Sequence, residues 1–140
     1  MKTYLEASQE GGRSLFSRNI TGEVVMLNLL RFRKEADYTK FPELSAPHTL
    51  TGREAYQKYI DHTLPLLRKS GGDILFLGEG AHYLIGPFEE SWDMVMMIRQ
   101  NSLKDFMAFA DAPEYLAGIG HRYAALEDSR LLPLTQIKAE

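Results

Sequence analysis

The sequence predicts an α+β protein of ferredoxin-like βαββαβ order with an extra N-terminal helix, in a chain of 140 residues that fits a single domain. Three observations predict it. Apolar runs suited to strands occur at 24–32 (VVMLNLLRF) and 92–99 (WDMVMMIR). A capping-box sequence, Thr51-Gly-Arg-Glu54, opens a long amphipathic helix between the first two strand regions. A second helical region, 102–122, separates the third strand from a last one, SRLLPLTQI at 129–137.

Each element has a local cause. Residues 5–18 are expected to form a weak helix that touches the body through Leu15 and Phe16 and is interrupted by Gly11-Gly12, so residues 1–22 extend a core at 23–137. In VVMLNLLRF, Val25, Leu27 and Leu29 share one face and Val24, Met26, Leu30 and Phe32 the other, which predicts a strand covered on both sides. Asn28 interrupts the second set, and a polar side chain there needs partners or water. Residues 33–50 dissolve into charges, Pro42 and Pro47, and so long a connection is expected to be mobile or ligand-ordered, as lids often are. The helix opened at Thr51 carries Tyr56, Ile60, Thr63 and Leu67 on one stripe, with Tyr59, His62 and Leu66 beside it. Pro65 is expected to kink its last turns before Gly71-Gly72 close it.

GDILFLGEGAHYLIGP, 72–87, reads as one long strand bent by a bulge at Gly78-Glu79-Gly80, with a short hairpin as the alternative. A turn at 89–91 leads into the third strand, and Ser102 starts a helix through Ala110. DAPEYLAGIGHR, 111–122, then reads as a further helix with Asp111 as N-cap and Pro113 in its first turn. Gly118 and Gly120 each weaken such a helix by ~1 kcal/mol relative to Ala, and they would let its backbone approach the sheet or a ligand. Pro133 puts the last strand at an edge or a bulge.

Two helical layers cover one face of such a sheet. The third strand is nevertheless apolar on both, with Met94, Met96 and Ile98 on one side and Val95 and Met97 on the other. A second protomer, sheet against sheet, is the expected cover, giving a homodimer.

Composition excludes several classes. The chain has no cysteine, which removes disulfide scaffolds, Cys-based zinc sites and thiol nucleophiles, and makes the cytoplasm the expected compartment. Sixteen Lys and Arg against nineteen Asp and Glu, without a basic run, argue against a nucleic-acid partner. The first twenty residues hold charges throughout and no run nears the ~20 apolar residues of a membrane span, so neither a signal peptide nor a membrane partner is expected. The four histidines show no metal-ligand spacing, and no phosphate-cradling glycine motif or Ser/His/Asp signature stands out, so no metal and no bound cofactor is expected.

The candidate site residues are few. Tyr115 and Arg122 stand seven apart, so on one α-helix they drift by only ~20°. Arg can clamp a carboxylate through two parallel hydrogen bonds while Tyr orients it. The structural alternative packs Tyr115 on the sheet and pairs Arg122 with Glu114 or Asp128. His62 follows Tyr59 by three positions on one helix face and is the candidate acid or base, or else a partly exposed hydrogen bonder. Trp92 either walls a pocket or packs on the core or a partner subunit. Asn28 either reaches a ligand or bonds structurally.

Tyr56, Tyr59, Gly71-Gly72, Trp92 and Pro113-Glu114-Tyr115 with Arg122 resemble the family known as domain of unknown function 1330, in the dimeric α+β barrel superfamily. The resemblance spans roughly residues 23–136 and implies ferredoxin-like protomers whose sheets pair into a barrel-like dimer with a cavity in each half. Arg99-Gln100-Asn101 departs from the acidic, aromatic and proline residues that many members carry before the second helix. Family membership supplies no reaction, and the residues leave two functions open. One is a small-molecule enzyme without a tightly bound organic cofactor, oxygenase- or isomerase-like, acting on a small acidic or aromatic metabolite. The other is a non-catalytic dimeric binding or structural module. A cavity holding Asn28, Tyr59 and Arg122 favours the first; an interior filled by Met and Leu favours the second.

Overall fold

The structure, a computed structural model, describes residues 2–139. Strands β1 (Val24–Phe32), β2 (Asp73–Glu79), β3 (Met94–Gln100) and β4 (Leu126–Leu134) form one antiparallel sheet in the order β2-β3-β1-β4. Helix α1 (Gln9–Ser17) precedes it, and α2 (Gly52–Lys69) joins β1 to β2. Helices α3 (Leu103–Asp111), α4 (Pro113–Leu116) and α5 (Ile119–Ala125) join β3 to β4. The core is therefore the ferredoxin-like βαββαβ arrangement.

Alternation along β1 separates the two faces. Val24, Met26, Asn28 and Leu30 are buried, and Leu30 joins Tyr56, Tyr59, Ile60, Met94 and Met96 in the core between sheet and helices. Val25, Leu27 and Leu29 point the other way and stay partly exposed. On that outer face the register sets Leu27 between Met97 and Leu132, with Val95 opposite Leu29 and Phe76 opposite Met97. Phe76 is 55% and Leu132 56% exposed, so helices cover the inner face and leave an apolar outer one.

One end of the outer face is ionic instead. The carboxylate of Asp128, fully buried, accepts from the backbone N–H of Tyr4 and of Ser129, each at 2.8 Å, and from Arg130 at 2.7 Å. Arg31, its cross-strand neighbour, adds a contact at 3.4 Å.

Several elements differ from the sequence expectation, each for a physical reason. Helix α1 starts at Gln9, capped by Ser8, because the preceding segment runs beside β4 instead, with the Ser129 N–H donating to Tyr4 O at 3.0 Å. Strand β2 stops at Glu79, where its pairing with β3 ends at Met94, and its register irregularity falls between Ile74 and Phe76 rather than at Gly78-Glu79-Gly80. The chain then leaves the sheet as a loop with one isolated bridge, His82 to Ser91.

The stretch 111–122 is two helices, not one. Pro113 disfavours helical backbone at the residue before it, and Ala112 is accordingly extended, so Asp111 ends α3 rather than capping the next helix. A second break falls at Gly118. A Cβ there would strike the His62 ring of α2, and one at Gly120 would strike Phe41 and Leu44, so both glycines serve close packing between elements rather than approach to a ligand. α5 then passes directly into β4, which begins at Leu126, three residues before the expected start; its Pro133 sits on an edge strand, as the sequence suggests.

The 33–50 connection is held in place. The Ala36 N–H donates to Leu50 O and the Asp37 N–H to Ala124 O, both at 2.9 Å, while Phe41 stacks on Tyr123 of α5. No helix among the described residues is long and apolar enough to cross a membrane.

Candidate functional site

A cavity of about 580 Å³ lies between the inner face of the sheet and the helices. Its existence follows from the residues that line it. Met26 and Asn28 of β1 and Met96, Ile98 and Gln100 of β3 form the floor because alternation aims them inward. Tyr59 and Thr63 project from α2, Phe106 and Phe109 from α3, Tyr115 from α4 and Arg122 from α5, while the Leu5–Ala7 segment closes one side. The walls are mainly aliphatic and aromatic, with a few polar groups among them, the usual composition of a small-molecule site.

The polar groups gather around two phenols. The hydroxyls of Tyr59 and Tyr115 are 2.8 Å apart and share a hydrogen bond. Burial pushes the Tyr59 phenol well above its ordinary value, and the neighbouring Tyr115 and Tyr56 add to the shift. Tyr56, on the same helix face, is raised by burial as well. The Arg122 guanidinium opposes both shifts, which puts its positive charge within electrostatic reach of both rings. Phenols raised this way stay protonated at neutral pH. They donate hydrogen bonds and stabilise charge on an oxygen; they are not bases.

Arg122 is tied to the chain on either side of it. Its guanidinium donates to Leu5 O at 2.7 Å and to Ser129 Oγ at 3.3 Å, and it pairs with no carboxylate among the described residues. The alternative pairing with Glu114 or Asp128 is not made. Asn28 donates from Nδ2 to Met26 O at 3.2 Å, its one side-chain bond among the described residues. Thr63 is buried on the cavity wall and its Oγ1 has no partner among the described residues, which leaves an orphaned hydroxyl on the same helix as Tyr56 and Tyr59.

The structure thus brings Asn28, Tyr59, Tyr115 and Arg122 to one cavity and separates His62 and Trp92 from it. His62 Nε2 donates to Glu114 O at 2.7 Å and its ring packs on Gly118, so it braces α2 against α4. Trp92 is buried on the far side of the sheet. The guanidinium carbons of Arg31 and Arg130 lie 5.5 and 5.0 Å from its ring, and Nε1 donates to the Tyr83 hydroxyl at 2.6 Å. The 33–50 connection lines neither this cavity nor a smaller one beside it, so the expected lid does not lie over the site; it is packed against α5 instead.

Thr63 and Gln100 also line the cavity, and both carry a signal in the sequence. Thr63 is the polar member of an apolar helix stripe, and Gln100 ends an inward series of Met94, Met96 and Ile98. Both are breaks of the kind that marks Asn28. The Leu5–Ala7 wall gave no such signal. Among the described residues, no three His, Cys, Asp or Glu side chains converge as a metal site.

No family model matches the chain, and no curated protein does. Solved structures do. The methylated RPA0582 protein matches at 33% identity over 99% of this chain and 98% of its own, with a TM-score of 0.84. The RPA0582 protein of unknown function from Rhodopseudomonas palustris matches at 33% identity over 98% of this chain and 99% of its own, with a TM-score of 0.81. A dabb family protein with a ferredoxin-like fold from Mesorhizobium loti shares 12% identity over 84% of this chain and all of its own, at a TM-score of 0.51, a likeness of fold alone.

Proposed function

Because the chain belongs to the same family as the RPA0582 protein of Rhodopseudomonas palustris, we propose for it a function consistent with the site just described: a small-molecule enzyme that acts on a small acidic or oxygenated aromatic compound. The observation that carries this reading is the Tyr59–Tyr115 hydroxyl pair, with the Arg122 charge close by, set in the wall of a cavity otherwise lined mainly by apolar side chains. An oxygen placed against these groups meets neutral donors and a cation in surroundings of low dielectric, where negative charge developing on it is stabilised most. Such charge stabilisation is one part of what proton transfer beside a carbonyl, or oxygenation of an aryloxide-like substrate by molecular oxygen, requires; the proton would pass to solvent or to a basic group of the substrate, since the phenols are not bases.

The protomer works as a homodimer in this reading. The support is the outer face, where Val25, Leu27, Val95 and Met97 lie between Phe76 and Leu132, because a second copy laid sheet on sheet would remove that apolar surface from water. The same surface and the βαββαβ order support assignment to the dimeric α+β barrel superfamily, and the residues from Tyr56 to Arg122 support kinship with domain of unknown function 1330.

The test is calorimetric titration of small aromatic and aliphatic carboxylates against the parent, Tyr59→Phe and Arg122→Ala. Losing one hydroxyl bond should weaken binding roughly five- to tenfold, and losing the charge-assisted contact roughly ten- to a hundredfold. Arg122→Ala should also lower the melting temperature, because its bonds to Leu5 and Ser129 go with it, so Tyr59→Phe is the cleaner variant. Carboxylate binding that is equal in all three proteins would remove the site. Binding without turnover of any bound compound would leave the non-catalytic module.

A further inference from the structure

A second cavity of about 370 Å³ adjoins the first. It lies beneath α1, between Gly12 and Leu15 of that helix and Pro133 of β4, and it shares the Leu5–Ala7 segment, Met26, Phe106, Leu131 and Arg122 with the main cavity. Arg122 therefore stands at the junction. Leu15, Met26, Phe106, Leu131 and Pro133 supply its apolar lining, and the polar groups include Glu6, whose carboxylate accepts from the Tyr123 hydroxyl at 3.2 Å, and the Arg122 guanidinium, which has no carboxylate partner among the described residues and is held by two neutral oxygens.

Helix α1 is built in a way that keeps this space open. Two adjacent glycines in a helix of nine residues each cost ~1 kcal/mol relative to Ala. A Cβ added to Gly12, on the inward side with Leu15, would meet no atom within 4 Å. A helix that served only to cover the sheet edge would gain propensity from any side chain at that position, and packing from one long enough to cross the open space.

We propose that the second cavity is a tail site, and that the ligand is an acid with two apolar arms flanking its carboxylate: a ring that fills the main cavity and an alkyl chain that runs under α1. The carboxylate lies at Arg122, where an ion pair takes the place of a bond to a neutral oxygen, in the cavity that Tyr59 and Tyr115 also line. The chain meets Leu15, Met26, Leu131 and Pro133. This inference rests on the reading of the main cavity as an acid-binding site and adds the shape of the acid.

The probes are phenylacetic acid, which has the ring and the head but no chain, and the homologous 2-phenylalkanoic acids from propanoic to octanoic, titrated by calorimetry. Affinity in the parent should rise about fourfold per added methylene until the chamber is full. Gly12→Phe and Leu15→Phe, which line only the second cavity, should flatten that rise and leave phenylacetic acid bound within about twofold of the parent. Gly12→Ala should keep the rise. Melting curves identify any variant that fails to fold, and Leu15→Phe decides if Gly12→Phe does not. A flat series in the parent, or a rise that persists in folded plug variants, overturns the tail site while phenylacetic acid binding still supports the main one. Failure of every acid to bind, phenylacetic acid included, overturns both.

Discussion

The two faces of strand β1 put the same alternation to opposite uses. Inward, Met26 and Asn28 border a cavity that the helices roof without filling. Outward, Val25, Leu27 and Leu29 belong to a surface that the described residues leave partly exposed, which gives way at one end to the ionic cluster of Asp128, Arg31 and Arg130 around Trp92. Burial alone does not tell the two apart. Asp128 is more deeply buried than Asn28, yet its carboxylate is fully occupied by donors, whereas Asn28 has one long bond within its own strand. A candidate site differs from a structural cluster in polar capacity left unused: among the described residues, the Thr63 hydroxyl has no partner and the Arg122 guanidinium no carboxylate, and both lie on the inward side.

The largest expected effect falls on the outer face. Asp128→Ala leaves Arg31 and Arg130 without their buried carboxylate and two backbone N–H groups without an acceptor, and should cost about 3–5 kcal/mol of stability, read as a fall in melting temperature. Burial by itself would raise the Asp128 pKa, but the Tyr4 N–H, Arg130 and the Ser129 N–H outweigh it and hold the carboxyl below the ordinary aspartate range. A folded-state pKa lower than the unfolded one means that the contribution is complete above about pH 5 and is lost as the pH falls through about 4 and below. Asp128→Asn should therefore flatten the acid limb of the stability profile. An unchanged acid limb would show that the cluster carries no such linkage.

Leu27→Asp comes next. It puts a carboxylate at the middle of the apolar outer face, where a monomer can hydrate it and a sheet-on-sheet dimer cannot. Self-association should weaken by a factor on the order of 100 or more, measured by sedimentation, while the inward cavity keeps its ligand. A parent that stays monomeric at high concentration would remove the outer interface and leave the inner site untouched.

The contrast between faces was legible in the sequence because a strand repeats every two residues. Asn28 stood out for that reason, and Tyr59 followed from the helix stripe. Tyr115 and Arg122 do share a cavity, but on a different backbone from the expected one: they reach it from two short helices, not from one face of a continuous helix. Pro113 could have signalled the first break through its effect on Ala112. The second depends on His62 pressing against Gly118 from another helix, and no local pattern reports a contact so distant in sequence. Trp92 went to the opposite face for a similar reason, since the guanidiniums that hold it come from β1 and β4. The Leu5–Ala7 wall was invisible because nothing in its composition says that it will run beside β4.

The smallest expected effect concerns His62, which the sequence offered as an acid or base and the structure sets apart from the cavity. Its ring lies on Gly118 and its Nε2–H reaches the carbonyl of Glu114, so it fixes α4, and with it Tyr115, against α2. His62→Gln keeps a donor of similar reach and should cost no more than about 1 kcal/mol, the net worth of one such bond. His62→Ala should cost slightly more through lost packing on Gly118. If His62 is a brace, neither variant changes the pH dependence of ligand binding, and any loss of affinity is matched by His62→Ala and relieved in His62→Gln, because only the placement of Tyr115 is disturbed. If His62 exchanges a proton with the ligand, both variants change the pH dependence of binding, and the glutamine rescues nothing. The geometry predicts the first result, since a bond between the ring and a backbone carbonyl one helix away serves position rather than proton transfer.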